Sequence, residues 1–161
     1  MRKIVILTGA GISAESGIET FRAEDGLWAQ HHIEDVATPE GFVRDPKLVV
    51  DFYNARRAQA ASVEPNAAHR ALARLEVEHE AEVVVITQNV DDLHERGGTT
   101  TLYHMHGHLK SALCADCDHR WPAPMVMSPG DACPSCTAPS ARPDIVWFGE
   151  IPYFMDEAIA A

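Results

Sequence analysis

The chain of 161 residues is 46% hydrophobic and 23% charged, which supplies apolar material for a buried core and excludes a disordered tail. Its formal charge of -11, from 13 basic against 24 acidic residues, argues against a general binder of nucleic acid or of an anionic membrane surface, so an anionic ligand must be held by local chemistry. The leading apolar run, Ile4 to Leu7, is too short for a signal-peptide core and no stretch approaches a membrane span, which makes the cytoplasm the expected compartment and one domain the expectation from length.

Lys3 to Thr8 is a continuous apolar run suited to a buried strand. It leads into Gly9-Ala10-Gly11-Ile12-Ser13-Ala14, a G-x-G-x-x-A turn whose glycines permit close backbone approach while the helix that follows faces a pyrophosphate. The acidic ribose ligand expected after a second strand is missing, because Glu34 and Asp35 follow a broken segment, so an ordinary glycine turn stays open. From Ser16 to Pro46, Gly17, Gly26, Pro39 and Gly41 interrupt any period, and Phe21, Arg22 and Trp28 fall in an expected long loop. A helix is predicted from Pro46 to Ser62, and a second from Ala67 to Val77, capped by Asn66 with Leu72 and Leu75 inward. In the first helix Tyr53 and Arg56 stand at i and i+3, hence on one face, and Arg57 beside them reads as a solvated arginine.

Val83 to Thr87 is the second predicted buried strand. It ends in Gln88-Asn89-Val90-Asp91, amides and a carboxylate that suit ribose hydroxyls and a carboxamide, unless Asn89 or Asp91 simply caps a helix. A weaker strand, Thr101 to Met105, leads into His106-Gly107, and strand alternation places His104, His106 and His108 on one face. Three readings remain open for them: a metal site, a general base, or polar surface. Histidine suits base chemistry near neutral pH, Gly107 would let a ligand approach closely, and no acidic partner at fixed spacing supports the metal. Cys114, Cys117, Cys133 and Cys136 follow as C-x2-C, fifteen intervening residues, and C-x2-C, the spacing of a four-thiolate zinc site, with two disulfides as the alternative. Four sulfurs leave the metal no open position, so the zinc is expected to be structural. Asp144 to Phe148, closed by Gly149-Glu150, is the last predicted strand. The fold class is therefore α/β, a Rossmann-like parallel sheet with an inserted small zinc-binding module.

Gly9-Ala10-Gly11-Ile12-Ser13, Ser16-Gly17-Ile18, Phe21-Arg22, Thr87-Gln88-Asn89-Val90-Asp91, His106-Gly107, the paired C-x-x-C turns and the run from Arg142 to Glu150 together resemble the sirtuins, in that family's order and over nearly the whole chain. The resemblance implies NAD-dependent removal of acyl groups from lysines of protein or peptide substrates. It implies that Gly9, Ala10, Gly11 and Ser13 cradle NAD phosphate, that Ile12 and Asp91 hold the nicotinamide carboxamide, and that Gln88 and Asn89 face the nicotinamide ribose. Gly17, Phe21, Arg22 and Trp28 would belong to the cofactor loop, with Phe21 shielding the sugar once nicotinamide leaves. His106 would be the base acting on a ribose hydroxyl, and the products would be free lysine, nicotinamide and O-acyl-ADP-ribose. Tyr53 and Arg56 resemble the Tyr-x-x-Arg pair of sirtuins that accept succinyl, malonyl or glutaryl lysine. A guanidinium can pair bidentately with a distal carboxylate and a phenol can add a hydrogen bond, which favours desuccinylase and demalonylase over deacetylase activity. The resemblance gives His104 and His108 no role. Transfer of ADP-ribose to a protein, or an inactive sirtuin-like binding protein or fragment, are the alternatives.

The chain departs from the family at three places. Glu19-Thr20 stands where many sirtuins have a proline, and Asp92 stands where a glycine is usual. The chain ends in Met155 to Ala161, inside an expected helix, where the family continues with further strands, so the sheet is expected to be incomplete at the C-terminus. The expected organisation is a Rossmann-like NAD-binding and catalytic region over residues 1–111, with its helical acyl-pocket segment at about 46–77, a four-cysteine zinc-binding module over 112–141, and a return to the Rossmann-like region over 142–161.

Overall fold

The structure, a computed structural model, describes residues 2–20 and 27–160. Three parallel strands, β1 (Lys3–Thr8), β2 (Glu82–Thr87) and β3 (Leu102–His104), form one sheet in the order β1-β2-β3. β2 is central and buried from Val83 to Thr87, as a strand paired on both sides and covered on both faces must be. β1 differs from the buried strand expected: its burial alternates and Leu7 is 65% exposed. It is an edge strand, so its apolar run is only half used.

A short helix, α1 (Gly11–Ala14), follows the glycine turn, and within the expected long loop lie a 3-10 turn at Leu27–Gln30, α2 (Ile33–Val36) and α3 (Pro39–Arg44). Pro39 occupies the first turn of α3, where its missing N–H is no loss, and the Thr38 hydroxyl oxygen accepts from the Gly41 amide at 2.9 Å. Gly41 lets α3 press onto α2, since a Cβ there would lie 2.6 Å from the Asp35 carbonyl oxygen. α4 (Pro46–Ser62) starts at Asp45, whose carboxylate accepts from the Leu48 amide at 3.0 Å. Val49, Phe52 and Tyr53 of α4 pack with Val90, Leu109, Ile145 and Trp147, while Val50 packs with Ala112, Met127 and Ala141. α5 (Ala67–Glu78) begins in a capping box between Asn66 and His69. Its buried positions are His69 and Ala73, and the expected inward pair Leu72 and Leu75 is half-buried.

After α6 (Leu93–Gly97), a second, antiparallel sheet forms from β4 (Gly107–Cys114), β5 (Arg120–Pro122) and β6 (Ala141–Ile145) in the order β5-β4-β6. The last strand therefore starts and ends earlier than expected. It stops because Glu150 takes the Arg142 guanidinium at 2.8 and 3.0 Å and the Trp147 amide at 2.8 Å, which folds residues 147–150 into a turn. Gly107 is required by this sheet: with φ of 83°, it opposes Ile145, and a Cβ would collide with the Asp144 carbonyl. α7 (Met155–Ala160) follows, and no described helix is long and apolar enough to cross a membrane.

The interior carries an unusual pair of histidines. The Thr8 hydroxyl donates to Thr87 Oγ1 at 2.8 Å, so Thr8 Oγ1 must accept from His94 Nε2 at 2.9 Å, and the His94 proton sits on Nε2. His94 Nδ1 and the Nε2 of His69, whose ring lies 4.9 Å away, have no hydrogen-bond partner among the described residues. Burial, reinforced by His69, pushes the His94 pKa down to about 4. A histidine depressed below its unfolded value of about 6.5 contributes stability that is fully present above that pH and is lost as pH falls toward the folded value. The urea midpoint should therefore decline as pH falls from about 6.5 toward 4, and less steeply in His94→Gln; an identical slope in the variant would remove His94 as the cause.

Candidate active site

The carboxyl ends of the parallel strands lie level, because Thr8 pairs with Thr87 and Thr87 with His104. The segments that leave them face a cavity of about 530 Å³. Ala10 and Ser13 reach it from β1, Gln88, Asn89 and Asp91 from β2, and His106 from the turn after β3. Trp28, Tyr53 and Arg56 line another wall, and residues 145–150 a third. Gly9, Gly11, Ile12 and Gly17 flank this lining without being part of it, and Phe21 and Arg22 lie outside the described residues.

A hydrogen-bonded row stiffens the polar wall. Asn89 Nδ2 donates to Ser13 Oγ at 3.1 Å, and Ser13 Oγ donates to Asp91 Oδ2 at 3.0 Å. Asp91 Oδ1 accepts from the Leu93 amide at 3.1 Å, so Asp91 holds the first residue of α6 with one oxygen and Ser13 with the other while it lines the cavity. Thr87 Oγ1 accepts from the Asn89 amide at 3.0 Å, and Ile12 O accepts from Asn66 Nδ2 at 2.7 Å, which ties the glycine turn to α5.

His106 is placed by backbone alone. The Met105 amide donates to Thr87 O at 2.9 Å and the Val146 amide to His106 O at 2.9 Å. Burial lowers the His106 pKa against a hydrogen bond with the Gln88 backbone, so the imidazole is neutral at neutral pH. His104 and His108 do not share its face. β3 ends at His104 and the chain turns at residues 105–106 before β4, which breaks the alternation expected of a continuous strand. Those two rings meet instead over Glu95 of α6, an acidic partner that sequence spacing does not announce.

The aromatic wall holds a cation. The Arg56 guanidinium lies 5.0 Å from the Trp28 ring centroid, 5.8 Å from Tyr53 and 5.9 Å from Phe52. Burial lowers its pKa, opposed by Tyr53 and Asp91, and a guanidinium remains charged throughout. Among the described residues no carboxylate lies within ion-pair distance of it. Tyr53, 1% exposed, accepts from Trp147 Nε1 at 3.1 Å, and burial raises its pKa, so it keeps its proton as a donor. Arg57 is not the solvated residue expected. It is 4% exposed and donates to Leu109 O at 2.7 Å, Asn54 Oδ1 at 2.8 Å and Met125 O at 3.2 Å. Its place on the stripe Val50, Tyr53, Arg57, Ala60 is the signal that would have found it. Asp92 is likewise buried and pairs with Lys110 of β4 and, at 3.7 Å, with Arg96.

The four cysteines are free thiols whose sulfurs all lie within 4.8 Å of one another. Cys114 and Cys136 are 3.6 Å apart and Cys117 and Cys133 3.8 Å, close to the edge of about 3.8 Å of a tetrahedron built on metal–sulfur bonds of about 2.3 Å. The two turns repeat one geometry: Cys114 bonds to His119 O and Cys133 to Ala138 O, with Asp118 and Thr137 at φ of 57° and 63°. The donor set fits a closed, four-sulfur zinc site, and such an ion would lie outside the cavity.

The sequence pattern of the Sir2 family matches residues 9–160. A NAD-dependent protein deacylase of Vibrio vulnificus strain YJ016 is 56% identical over 163 residues, covering 99% of this chain and 66% of that protein, so the chain spans just under two thirds of that relative's length. A mutant Sir2 homologue solved with ADP-ribose superposes with a TM-score of 0.90 at 40% identity, covering 99% of this chain and 65% of its own. A Sir2 homologue in complex with NAD gives 0.88 at 40% identity, covering 99% and 63%.

A metal test follows from the cysteine geometry. Elemental analysis should find one zinc per chain, and a strong chelator should cost the 112–141 segment its amide protection, because thiolate–zinc bonding contributes folding free energy directly. A metal-free sample with unchanged protection would overturn the structural role.

Proposed function

The chain belongs to the Sir2 family, and from that premise we propose that it provides the acyl-lysine and nicotinamide-ribose side of an NAD-dependent protein-lysine deacylase that favours succinyl and malonyl over acetyl groups. The observation that carries this reading is a charged Arg56 that has no carboxylate within ion-pair distance among the described residues and lines the same cavity as a neutral His106. NAD, when bound, supplies a leaving group in nicotinamide and an acyl acceptor in its ribose. The turn of Gly9, Ala10, Gly11 and Ser13 would hold phosphate, and a side chain at Gly11 would meet nothing within 4 Å, which leaves room for a ligand beside the backbone. Ile12 and Asp91 would hold the carboxamide, Gln88 and Asn89 the ribose, and Gly17, Phe21, Arg22 and Trp28 further parts of the dinucleotide.

Each side chain then has a task its environment suits. The neutral His106 imidazole accepts a proton from a hydroxyl in the cavity, which needs a free nitrogen and therefore a pH above its lowered pKa. Arg56 forks the distal carboxylate of the acyl group while Tyr53 donates its O–H to the same group. The apolar surround of Trp28, Ile18 and Val90 excludes water from these contacts. Free lysine, nicotinamide and O-acyl-ADP-ribose would be the products. Four reduced thiols in one cluster also suit a cytoplasmic location.

Arg56→Met should lower kcat/KM for a succinyl-lysine peptide about a hundredfold while changing that for the acetyl peptide little, since a charge-assisted bidentate contact contributes up to about 3 kcal/mol. Equal losses on both peptides would sink the carboxylate assignment. Release of free lysine from succinyl peptide should vanish in His106→Ala, because the base acts on the ribose hydroxyl once nicotinamide has left; absence of both nicotinamide release and free lysine from wild type would make the chain an inactive binding protein or fragment, and ADP-ribose appearing on protein would make it a transferase.

A further inference from the structure

His104 closes β3 on the side of the strand ends away from the cavity, with its ring held between two acceptors. Nδ1 lies 2.8 Å from the Asn89 backbone oxygen, and Nε2 lies 2.8 Å from Glu95 Oε1. Neither oxygen can donate, so a neutral ring would aim a lone pair at one of them, and only the imidazolium satisfies both. Glu95 is held ionised, far below the usual carboxylate range, chiefly by its hydrogen bonds from His104 and His108 against the cost of burial. His108 donates rather than competes: its Nδ1 accepts from the Lys110 amide at 3.0 Å, which leaves Nε2–H for Glu95 at 3.2 Å.

The charged and titratable groups around His104 are Glu95 of α6, His108 of β4, and, beyond contact, Asp91 and His94. The two carboxylates and the Asn89 carbonyl outweigh burial and the neighbouring rings, and raise the His104 pKa. The carbonyl it holds belongs to Asn89, whose side chain starts the row to Ser13 and Asp91 on the cavity wall.

We propose that His104, as an imidazolium clamped between Glu95 and the Asn89 carbonyl, is a positioning residue that fixes the Asn89–Ser13–Asp91 wall for the ribose and carboxamide of the dinucleotide. The ligand assignment rests on the proposed function, while the clamp itself does not. His104 thus works protonated and His106 works deprotonated, two positions apart in the chain. The His104 contribution is present below its raised pKa and is lost as pH rises through it, so it sets an alkaline limb opposite the acid limb of His106.

Nitrogen-edited NMR of the histidine rings in the ligand-free chain should show His104 protonated on both nitrogens at pH 7, with a midpoint above 6.5. The Asn89 side-chain amide signals should move with that midpoint. Glu95→Gln should lower the midpoint by about one unit or more and carry the alkaline limb of NAD binding and turnover with it, leaving the acid limb in place. His104→Gln should weaken NAD binding about tenfold with kcat little changed. A neutral His104 at pH 7, or Asn89 signals that ignore its titration, would overturn the proposal. Zinc or nickel uptake by Glu95, His104 and His108 in the presence of an intact cysteine site would also overturn it, by making the cluster a metal centre. A chain that shows the NMR behaviour but no deacylation in any variant would remove the deacylase reading and leave the clamp standing.

Discussion

The register of the three parallel strands is the constraint from which the rest of the molecule follows. With Thr8 opposite Thr87 and Thr87 opposite His104, three chain segments leave the sheet at one level, and their first polar residues have nowhere to go but against one another. A slip of one residue would invert the faces of a whole strand, sending the Val83–Ile86 side chains the wrong way and separating Ser13 from Asp91. The hydroxyl pair Thr8–Thr87, closed by His94, sits at this level and leaves little freedom for such a slip.

Beyond that level the protein places polar groups where water is excluded and satisfies them in series. Asn89, Ser13 and Asp91 are each buried and each bonded, so the cavity wall costs little in unpaired donors and acceptors. The unpaired atoms of His69 and His94 lie one layer back, where the uncharged ring is tolerated and the charged one is not. A neutral His106 facing the cavity and the charged His104 proposed behind it are thus favoured by opposite means: burial for the first, and two acceptors for the second.

Strong local signals made part of this legible in the sequence. The apolar runs of β1 and β2, the Pro46 start and Asn66 cap of the long helices, and the cysteine spacing each have a local physical cause that needs no tertiary context. Residues whose roles depend on a distant partner were opaque. Arg57 reads as a surface charge in the sequence because its acceptors, the carbonyls of Leu109 and Met125, lie 52 and 68 residues further along the chain. Asp92 offered no hint of Lys110, and Glu95 none of His104 and His108, because the pairing depends on the reversal after α6, where Gly98 adopts a left-handed conformation. The histidine alternation failed for a backbone reason: two residues of turn between β3 and β4 send His106 to the cavity and its neighbours to the opposite side.

Arg57 has a consequence for how this protein could change over evolution. Its hydrogen bonds to Leu109 of β4 and to Met125 beyond β5 tie α4 to the second sheet and the segment after it, which opposes sliding or rolling of the helix that carries Tyr53 and Arg56. The depth at which a cation waits in the cavity is then a ruler with fixed markings. Moving the arginine one turn along α4 would shift it by about 5.4 Å, a coarse step beside the single methylenes that separate malonyl, succinyl and glutaryl chains. On the proposed carboxylate reading, fine tuning among those chains would come from the reach of the arginine stem and the size of the aromatic rings around it, whereas a wholesale change of acyl class would be open to one substitution at position 56.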